Sequence, residues 1–354
     1  MTLRVRDTVA RMSPYVPPQY ARDPERQTLM EFNEVPLVPP KSVDERLIAF
    51  VRSGQLNLYP QYGPLYDKLA DYVGTARSNL LLTNGSDQGI ELILRAFLEP
   101  GDHCVLAKPG FAMFEQVATA IGAEVRGPSF PPEDFRFPFD EFVASVRPDT
   151  KLIIIINPNN PTGSAVTQEQ IQEILRGFPD HPVLVDEAYY EFTGETCAGL
   201  LSEHPHLIVM RTFSKAFALT SLRIGYIAAD PGFILELRKI QGPFDVNMLA
   251  VVAAEAVLDE QEEMQRRVRH LMDESKPALE AYFQKRGVTY FPSKAHFMLV
   301  ASDRKAELVD HLHRHHLMVR PQGPPLENTF RMSVRTLPEM QHFMDVFDAF
   351  LDGR

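Results

Sequence analysis

The sequence Lys151-Leu-Ile-Ile-Ile-Ile-Asn-Pro-Asn-Asn-Pro-Thr-Gly163 joins an unbroken apolar run to a turn rich in asparagine and proline. A strand that is apolar on both faces is typical of a parallel sheet covered by helices on each side. The two prolines disfavour the helical conformation at the residues before them, so the turn is rigid. Three asparagines at the mouth of a buried sheet indicate a binding site rather than a plain connection between a strand and a helix.

Further apolar runs lie on both sides of this stretch and alternate with helical patterns. The alternation predicts an α/β fold with a largely parallel sheet covered by helices on both faces. The predicted strands are Leu80–Thr83, His103–Ala107, Ala123–Arg126, Lys151–Ile156, Val183–Val185, Leu207–Arg211 and Ile224–Ala228. The helical patterns between them include Ser86–Phe97, Phe111–Ile121 and Gln168–Arg176.

The two ends of the chain differ from this central pattern. A proline-rich start predicts an extended arm, followed by helices at Ser42–Val51, with Ser42 as the cap, and at Leu65–Tyr72. After a helical stretch from Asn247 to Arg286, short strands and helices predict a smaller α+β domain. We expect an arm (1–40), a large domain (41–246) and a small C-terminal domain (247–354). The prolines of the arm are Pro14, Pro17, Pro18, Pro24, Pro36, Pro39 and Pro40. In the small domain, the predicted strands are His296–Val300, Leu317–Arg320 and Thr329–Val334, and the predicted helices are Lys305–His315 and Pro338–Leu351.

Composition excludes several classes of protein. The 354 residues include 36 Lys+Arg and 47 Asp+Glu, a net charge of −11 that argues against nucleic acid or an anionic membrane as a partner. Two cysteines cannot form a disulfide framework, no apolar run is long enough to span a bilayer, and no secretory pattern is visible. We therefore expect a soluble, cytoplasmic protein.

Three more strand ends carry polar groups that suit a ligand. Ser86-Asp87, Asp186 and Ser214-Lys215 each follow an apolar strand, and open α/β sheets bind ligands at this edge. Taken singly, each has an ordinary explanation as a helix cap, a turn former or a solvated lysine. Of the histidines His311, His313, His315 and His316, only His311 and His315 share a helical face and no third ligand is evident, so we predict a solvated helix end and no metal site.

Together these motifs resemble the aspartate-aminotransferase-like superfamily of pyridoxal-phosphate enzymes, fold type I, and most closely its histidinol-phosphate aminotransferase branch. The resemblance extends from Pro14-Tyr15 to Phe330-Arg-Met-Ser333. Its most specific pieces are Asn-Asn-Pro-Thr-Gly, Asp-Glu-Ala-Tyr, and Ser-Lys-Ala-Phe-Ala-Leu followed by Leu-Arg-Ile-Gly. It implies a three-layer fold, pyridoxal 5'-phosphate as cofactor, and a homodimer with shared active sites to which the arm contributes.

The resemblance also implies a role for each site residue. Lys215 would bind the cofactor covalently and move protons, Asp186 would pair with the ring nitrogen, and Phe111 would stack on the ring. The ring 3-oxygen would accept hydrogen bonds from Asn160 and Tyr189. The cofactor phosphate would lie against Ser86, Asp87, Thr212, Ser214 and Arg223, with Tyr59 reaching it from the neighbouring subunit.

Substrate contacts implied by the resemblance are Arg331, Arg320 and Asn33, the arginines because a guanidinium pairs with carboxylate or phosphate. Three residues depart from the family pattern: Gln88 replaces a usual Glu, Arg335 a common Gly, and Glu31 a frequent Asn. Arg335 could join Arg331 on one face of a strand or lie on the surface.

The resemblance favours transamination between histidinol phosphate and 2-oxoglutarate. Alternatives are an aminotransferase for another amino acid, a decarboxylase of the threonine-phosphate type, and a non-catalytic binding protein. The presence of Lys215, Asp186 and Asn160 argues against the last.

Overall fold

The computed structural model describes residues 4–15 and 22–353, so Pro17 and Pro18 of the predicted arm lie outside the described residues. In chain order the strands are β1 Thr28–Leu29, β2 Leu80–Thr83, β3 His103–Leu106, β4 Glu124–Arg126, β5 Leu152–Ile156, β6 Val183–Asp186, β7 Leu207–Thr212, β8 Gly225–Ala229, β9 Phe297–Ala301, β10 Leu317–Met318, β11 Arg320–Pro321 and β12 Thr329–Ser333. The helices are α1 Asp7–Ala10, α2 Lys41–Arg52, α3 Gly63–Val73, α4 Gly85–Phe97, α5 Ala112–Ile121, α6 Phe139–Ser145, α7 Gln168–Gly177, α8 Pro231–Arg238, α9 Met248–Asp259, α10 Gln261–His270, α11 Lys276–Arg286, α12 Lys305–Arg314 and α13 Leu337–Leu351.

The larger sheet has seven strands in the order β2-β8-β7-β6-β5-β3-β4. Neighbouring strands are parallel from β4 across to β7, and β8 runs antiparallel to both β7 and β2. The prediction of a mostly parallel α/β sheet is therefore confirmed, and no strand end is displaced by more than one residue.

Each face of this sheet is covered by its own hydrophobic core. Alternate residues of β5 enter different cores: Ile153 and Ile155 face α2, α3, α6, α7 and α9, whereas Ile154 and Ile156 face α4, α5 and α8. All four side chains are at most 4% exposed. The unbroken isoleucine run is thus explained by a strand buried on both faces, in the middle of three layers.

The C-terminal part contains an antiparallel sheet in the order β11-β12-β9. Its core brings together aromatic residues of α11, α13 and the sheet, among them Phe283, Phe297 and Phe343. The arm joins this part, because β1 pairs with β10 and Met30 is fully buried in the same core. Helix α9 packs on α2 and α3 instead, which favours a division between the parts later than the residue 246 that we predicted; that boundary stays a prediction.

Three local predictions were wrong. Ser42 is not a cap, because Pro40 holds an extended backbone (φ −56°, ψ 151°) and α2 begins at once with Lys41. The predicted strand Leu317–Arg320 is two short strands, since β10 pairs with the arm and β11 with β12. His311 is not on a solvated helix end: it is 8% exposed and its Nε2 lies 3.1 Å from the carbonyl oxygen of Val346 in α13.

The asparagine–proline turn after β5 is held by its own amides and by the C-terminal part. Asn157 exchanges hydrogen bonds with the backbone of Val166, and Asn159 donates to the carbonyl of Pro109, so these two asparagines serve the turn and not a ligand. At its end, Gly163 accepts a hydrogen bond of 2.7 Å from the backbone N–H of Lys294. The turn therefore fixes the larger sheet against the segment that precedes β9.

We predict that Gly163→Ala lowers the free energy of unfolding by about 2–4 kcal/mol. Gly163 has a φ of +76°, and a Cβ there would lie 2.1 Å from Ser293 Oγ. Gly194→Ala is the matched control, since Gly194 has a φ of +74° with nothing within 4 Å. Urea unfolding should show a loss of only about 1 kcal/mol for the control, and equal losses for both variants would contradict the close contact with Ser293.

Candidate active site

A cavity opens at the C-terminal edge of the larger sheet, where the arm and the three-stranded sheet meet it. All the site residues predicted from the sequence line this cavity except Tyr59. They are Asn33, Ser86, Asp87, Phe111, Asn160, Asp186, Tyr189, Thr212, Ser214, Lys215, Arg223, Arg320 and Arg331. Residues far apart in sequence therefore converge because the parallel strands end at one edge.

Lys215 lies in the loop after β7 with its amine inside the protein. Its Nζ donates a hydrogen bond of 3.0 Å to the carbonyl oxygen of Phe32. Burial, followed by the charge of Arg331, lowers the pKa of Lys215 to about 8. A substantial fraction of the amine is then neutral near that pH, which is the form that acts as a nucleophile or a base.

Asp186 is the last residue of β6 and is 3% exposed. Its Oδ1 accepts a hydrogen bond of 3.1 Å from the backbone N–H of Ala188, and no ion pair with it is found among residues 4–15 and 22–353. Burial raises the pKa of Asp186 to about 7. A buried carboxylate that faces the cavity and forms no ion pair within the described residues suits a ligand that carries a protonated ring nitrogen.

The hydroxyl of Tyr189 accepts two hydrogen bonds from amides. Asn33 Nδ2 lies 3.0 Å away and Asn160 Nδ2 lies 3.3 Å away. Because both lone pairs of the oxygen are used, its own proton is directed to the cavity. Burial raises the pKa of Tyr189 to about 12, so this proton is retained at neutral pH.

An anion cradle lies at the start of α4. The guanidinium of Arg223 is 2.9 Å from Asp87 Oδ2 and 3.3 Å from Ser214 Oγ. Gly85 makes room for it, since a Cβ there would lie 2.7 Å from Arg223 Nη2. With Ser86 in the first turn, these groups offer hydroxyls, a guanidinium and free N–H groups, which together suit a phosphate.

Two arginines face each other on the opposite wall. Arg320 of β11 and Arg331 of β12 are register partners, and both line the cavity. Arg331 donates to Asn160 Oδ1 and to the backbone oxygen of Glu31, and Arg320 donates to the hydroxyl of Tyr15. Burial lowers the pKa of Arg331 to about 10, so the side chain stays charged at neutral pH.

The three departures from the family pattern lie outside the cavity lining. The side-chain amide of Gln88 accepts a hydrogen bond from the N–H of Asn84 (2.7 Å) and donates one to the carboxylate of Asp245 (2.5 Å). An ionised glutamate could not replace it, because a carboxylate has no proton to donate to Asp245. The carboxylate of Glu31 is buried, 2.8 Å from Arg22 Nε. Arg335 does not join Arg331, because β12 ends at Ser333 and the guanidinium turns to Glu339 of α13, 2.8 Å away. At 15% side-chain exposure Arg335 is not a surface residue either.

Some residues that line the cavity were not indicated by any sequence motif, and one predicted site residue, Tyr59, does not line it. Phe32, Thr220 and Gln322 line the cavity but belong to no motif; only the position of Phe32 beside Asn33 could have indicated it. Tyr59 is 75% exposed and stacks on Phe244 with ring centroids 4.2 Å apart. Within its own subunit Tyr59 does not reach the cavity.

Comparison with known proteins identifies the class of enzyme. Residues 26–347 match the model of the family of class I and II aminotransferases, so the chain belongs to this family. Enzymes of this family use pyridoxal phosphate, and the chain is a pyridoxal-phosphate-dependent aminotransferase of fold type I.

In the part of the chain that the structure describes, no helix is long and apolar enough to cross a membrane.

Individual relatives show which aminotransferases the chain is similar to. The histidinol-phosphate aminotransferase of Symbiobacterium thermophilum is 34% identical over 362 aligned positions, which cover 98% of each chain. That of a Thermoanaerobacter species is 36% identical over 274 residues, 77% of each chain. The solved structure of the histidinol-phosphate aminotransferase of Sinorhizobium meliloti, in complex with pyridoxal-5'-phosphate, has the same fold, with a TM-score of 0.87 at 24% identity over 99% of both chains.

We predict that Asp186→Asn makes the cofactor-free protein more stable at pH 8, by about 2–4 kcal/mol, while abolishing activity. The folded carboxyl has its pKa raised from 3.8 to about 7, so between these values the folded state holds a proton that the unfolded chain has released. The free energy of unfolding of the wild type therefore falls as the pH rises through this window. That of the Asp186→Asn variant does not fall in this way, because the amide does not ionise.

Urea unfolding of cofactor-free protein between pH 5 and pH 8 measures this difference. The gain from Asp186→Asn should shrink as the pH falls to 5. The control is Asp71→Asn, at an exposed position of α3, which should change stability little at any pH. A gain that does not depend on pH would contradict the buried, unpaired carboxylate.

Proposed function

We propose that this aminotransferase moves the amino group of histidinol phosphate to 2-oxoglutarate. Two relatives that are 34% and 36% identical to this chain are histidinol-phosphate aminotransferases, which supports the proposal. The observation that carries it is the pair Arg320 and Arg331 in the cavity.

These two guanidiniums lie on adjacent strands at the same register, where like charges repel. Neither forms an ion pair with a carboxylate in the described ranges, 4–15 and 22–353. An anion of the substrate between them would remove the repulsion. One guanidinium fork fits a phosphate or a carboxylate, so one wall can receive histidinol phosphate in one half-reaction and glutamate in the other.

The residues of the opposite wall fit the cofactor of this class. The carboxylate of Asp186, which forms no ion pair within the described residues, suits the ring nitrogen. The anion cradle at the start of α4, with Arg223, suits the phosphate. Phe111 lines the same cavity and offers an aromatic face to the ring. When bound, pyridoxal phosphate supplies an electron sink for the bonds at the amino-bearing carbon.

The chain's own groups would divide the remaining work. Lys215 would attach the cofactor through its neutral amine and then carry protons at the reacting carbon. Asp186 would keep the ring nitrogen protonated, and the inward proton of Tyr189 would bond the ring oxygen. Asn160 connects the two walls, since it donates to Tyr189 and accepts from Arg331.

We predict that Arg320→Gln raises the KM for histidinol phosphate by about 10–100-fold and leaves the KM for unphosphorylated histidinol nearly unchanged. The reason is that the substitution removes a charged hydrogen bond to the phosphate. Arg335→Gln is the matched control, because Arg335 follows the same sheet but lies outside the cavity lining. Stopped-flow decay of the visible band of the holoenzyme measures each amino donor in a single half-reaction.

Wild-type enzyme in the same assay tests the substrate. Histidinol phosphate should react fastest, with aromatic amino acids much slower. Carbon dioxide release from phosphothreonine, or preference for an unphosphorylated amino acid, would overturn the substrate and leave the aminotransferase class unaffected.

We also propose a homodimer in which Tyr59 completes the partner's site. Leu56, Leu58, Tyr59 and Phe244 are between 48% and 75% exposed, and together they form an apolar surface of the kind that marks a protein interface. The domain boundaries and a cytoplasmic location stay predictions from the sequence.

Hybrid dimers should reveal the shared site. After subunit exchange, Lys215→Ala mixed with an impaired Tyr59→Ala variant should recover up to about a quarter of wild-type activity, since half of the dimers then hold one intact site. Tyr59→Ala exchanged with itself is the control. A fully active monomer in sedimentation would refute the dimer.

A further inference from the structure

A fully buried histidine lies behind the cavity, just before β9. His296 Nε2 is 3.0 Å from the carbonyl oxygen of Asn33. Because a carbonyl oxygen only accepts, Nε2 carries the proton, and Nδ1 is left without a partner among the residues that the structure describes. Burial, and then the charge of Lys215, lowers the pKa of His296 to about 3, so the imidazole is neutral.

Aromatic rings fix the plane of this imidazole. Phe192 stacks on it at 4.1 Å with an angle of 24°, and the rings of Tyr189 and Phe297 each have centroids 5.8 Å away. The Nε2–H therefore points at one place, the backbone of Asn33.

The backbone of Asn33 has an uncommon conformation. Its φ of 54° is in the left-handed region, which asparagine adopts more readily than most residues other than glycine. From that conformation its side chain donates to the hydroxyl of Tyr189 at 3.0 Å. The arm, the C-terminal part and the larger sheet thus meet through His296, Asn33 and Tyr189.

We propose that His296 is a positioning residue for the Tyr189 hydroxyl. It holds the Asn33 turn, and the Asn33 amide, together with Asn160, uses both lone pairs of the hydroxyl so that its proton faces the ligand. His296 is not among the residues that line the cavity. The inference rests on the proposed function, because it needs Tyr189 to act on a bound group.

His296→Phe tests this role, since phenylalanine keeps the stacking on Phe192 but lacks the N–H. The pKa of the visible chromophore of the holoenzyme should rise by about 0.5–1 unit, because a displaced Tyr189 hydroxyl stabilises the anionic oxygen in the cavity less well. The KM for the amino donor should rise by about 3–10-fold, since Asn33 lines the cavity. His296→Gln, which retains an N–H donor, should lie closer to wild type in both measurements.

His311→Phe is the matched control for the loss of a buried imidazole. His311 is also buried and its Nε2 also bonds a backbone carbonyl, at 3.1 Å, but it lies away from the cavity. Both phenylalanine variants should lower the Tm, and only His296→Phe should change the chromophore pKa. If His296→Phe changes the Tm alone, its role is merely structural and the proposal is wrong.

A double-mutant cycle with Tyr189→Phe separates this proposal from the proposed function. If His296 acts through the hydroxyl, His296→Phe should change the chromophore pKa little in a Tyr189→Phe background. An unchanged pKa in Tyr189→Phe itself would refute the role of Tyr189 and with it the site that we propose. Additive shifts in the double variant would refute only the positioning by His296.

Discussion

The carboxylate of Asp186 is the constraint on which the rest of the site depends. It ends a strand inside the protein, with one backbone N–H as its partner, and burial raises its pKa to about 7. Such a group is costly in its charged form unless a cation pairs with it. The protein tolerates the cost because β6 and its neighbours are buried between two hydrophobic cores.

The cavity around Asp186 has charged side chains on two walls. Arg223 with Asp87 lies on one wall, and Arg320 with Arg331 lies on the other. Lys215 is near enough to Arg331 for that charge to lower its pKa. The same positive charge that would attract an anionic substrate therefore helps to keep the lysine amine neutral.

Tyr189 connects these walls through hydrogen bonds. Its hydroxyl meets Asn33 of the arm and Asn160 of the turn after β5, and Asn160 continues to Arg331. A small movement of the arm or of the C-terminal part would therefore displace the hydroxyl that faces the cavity. These contacts are the physical basis of the role that we propose for His296, which lies outside the cavity lining.

The sequence by itself determined the central sheet and most of the cofactor side of the site. Apolar runs such as Ile153–Ile156 are local patterns, and polar residues directly after parallel strands share one edge wherever the strands pack. Only the tertiary structure decided that Arg335 turns to Glu339, that Asn157 and Asn159 serve the turn, and that His296 supports Asn33. The first of these outcomes depends on where β12 ends, and the last depends on how the arm crosses the C-terminal part. They join residues as much as 263 positions apart, which no local periodicity encodes.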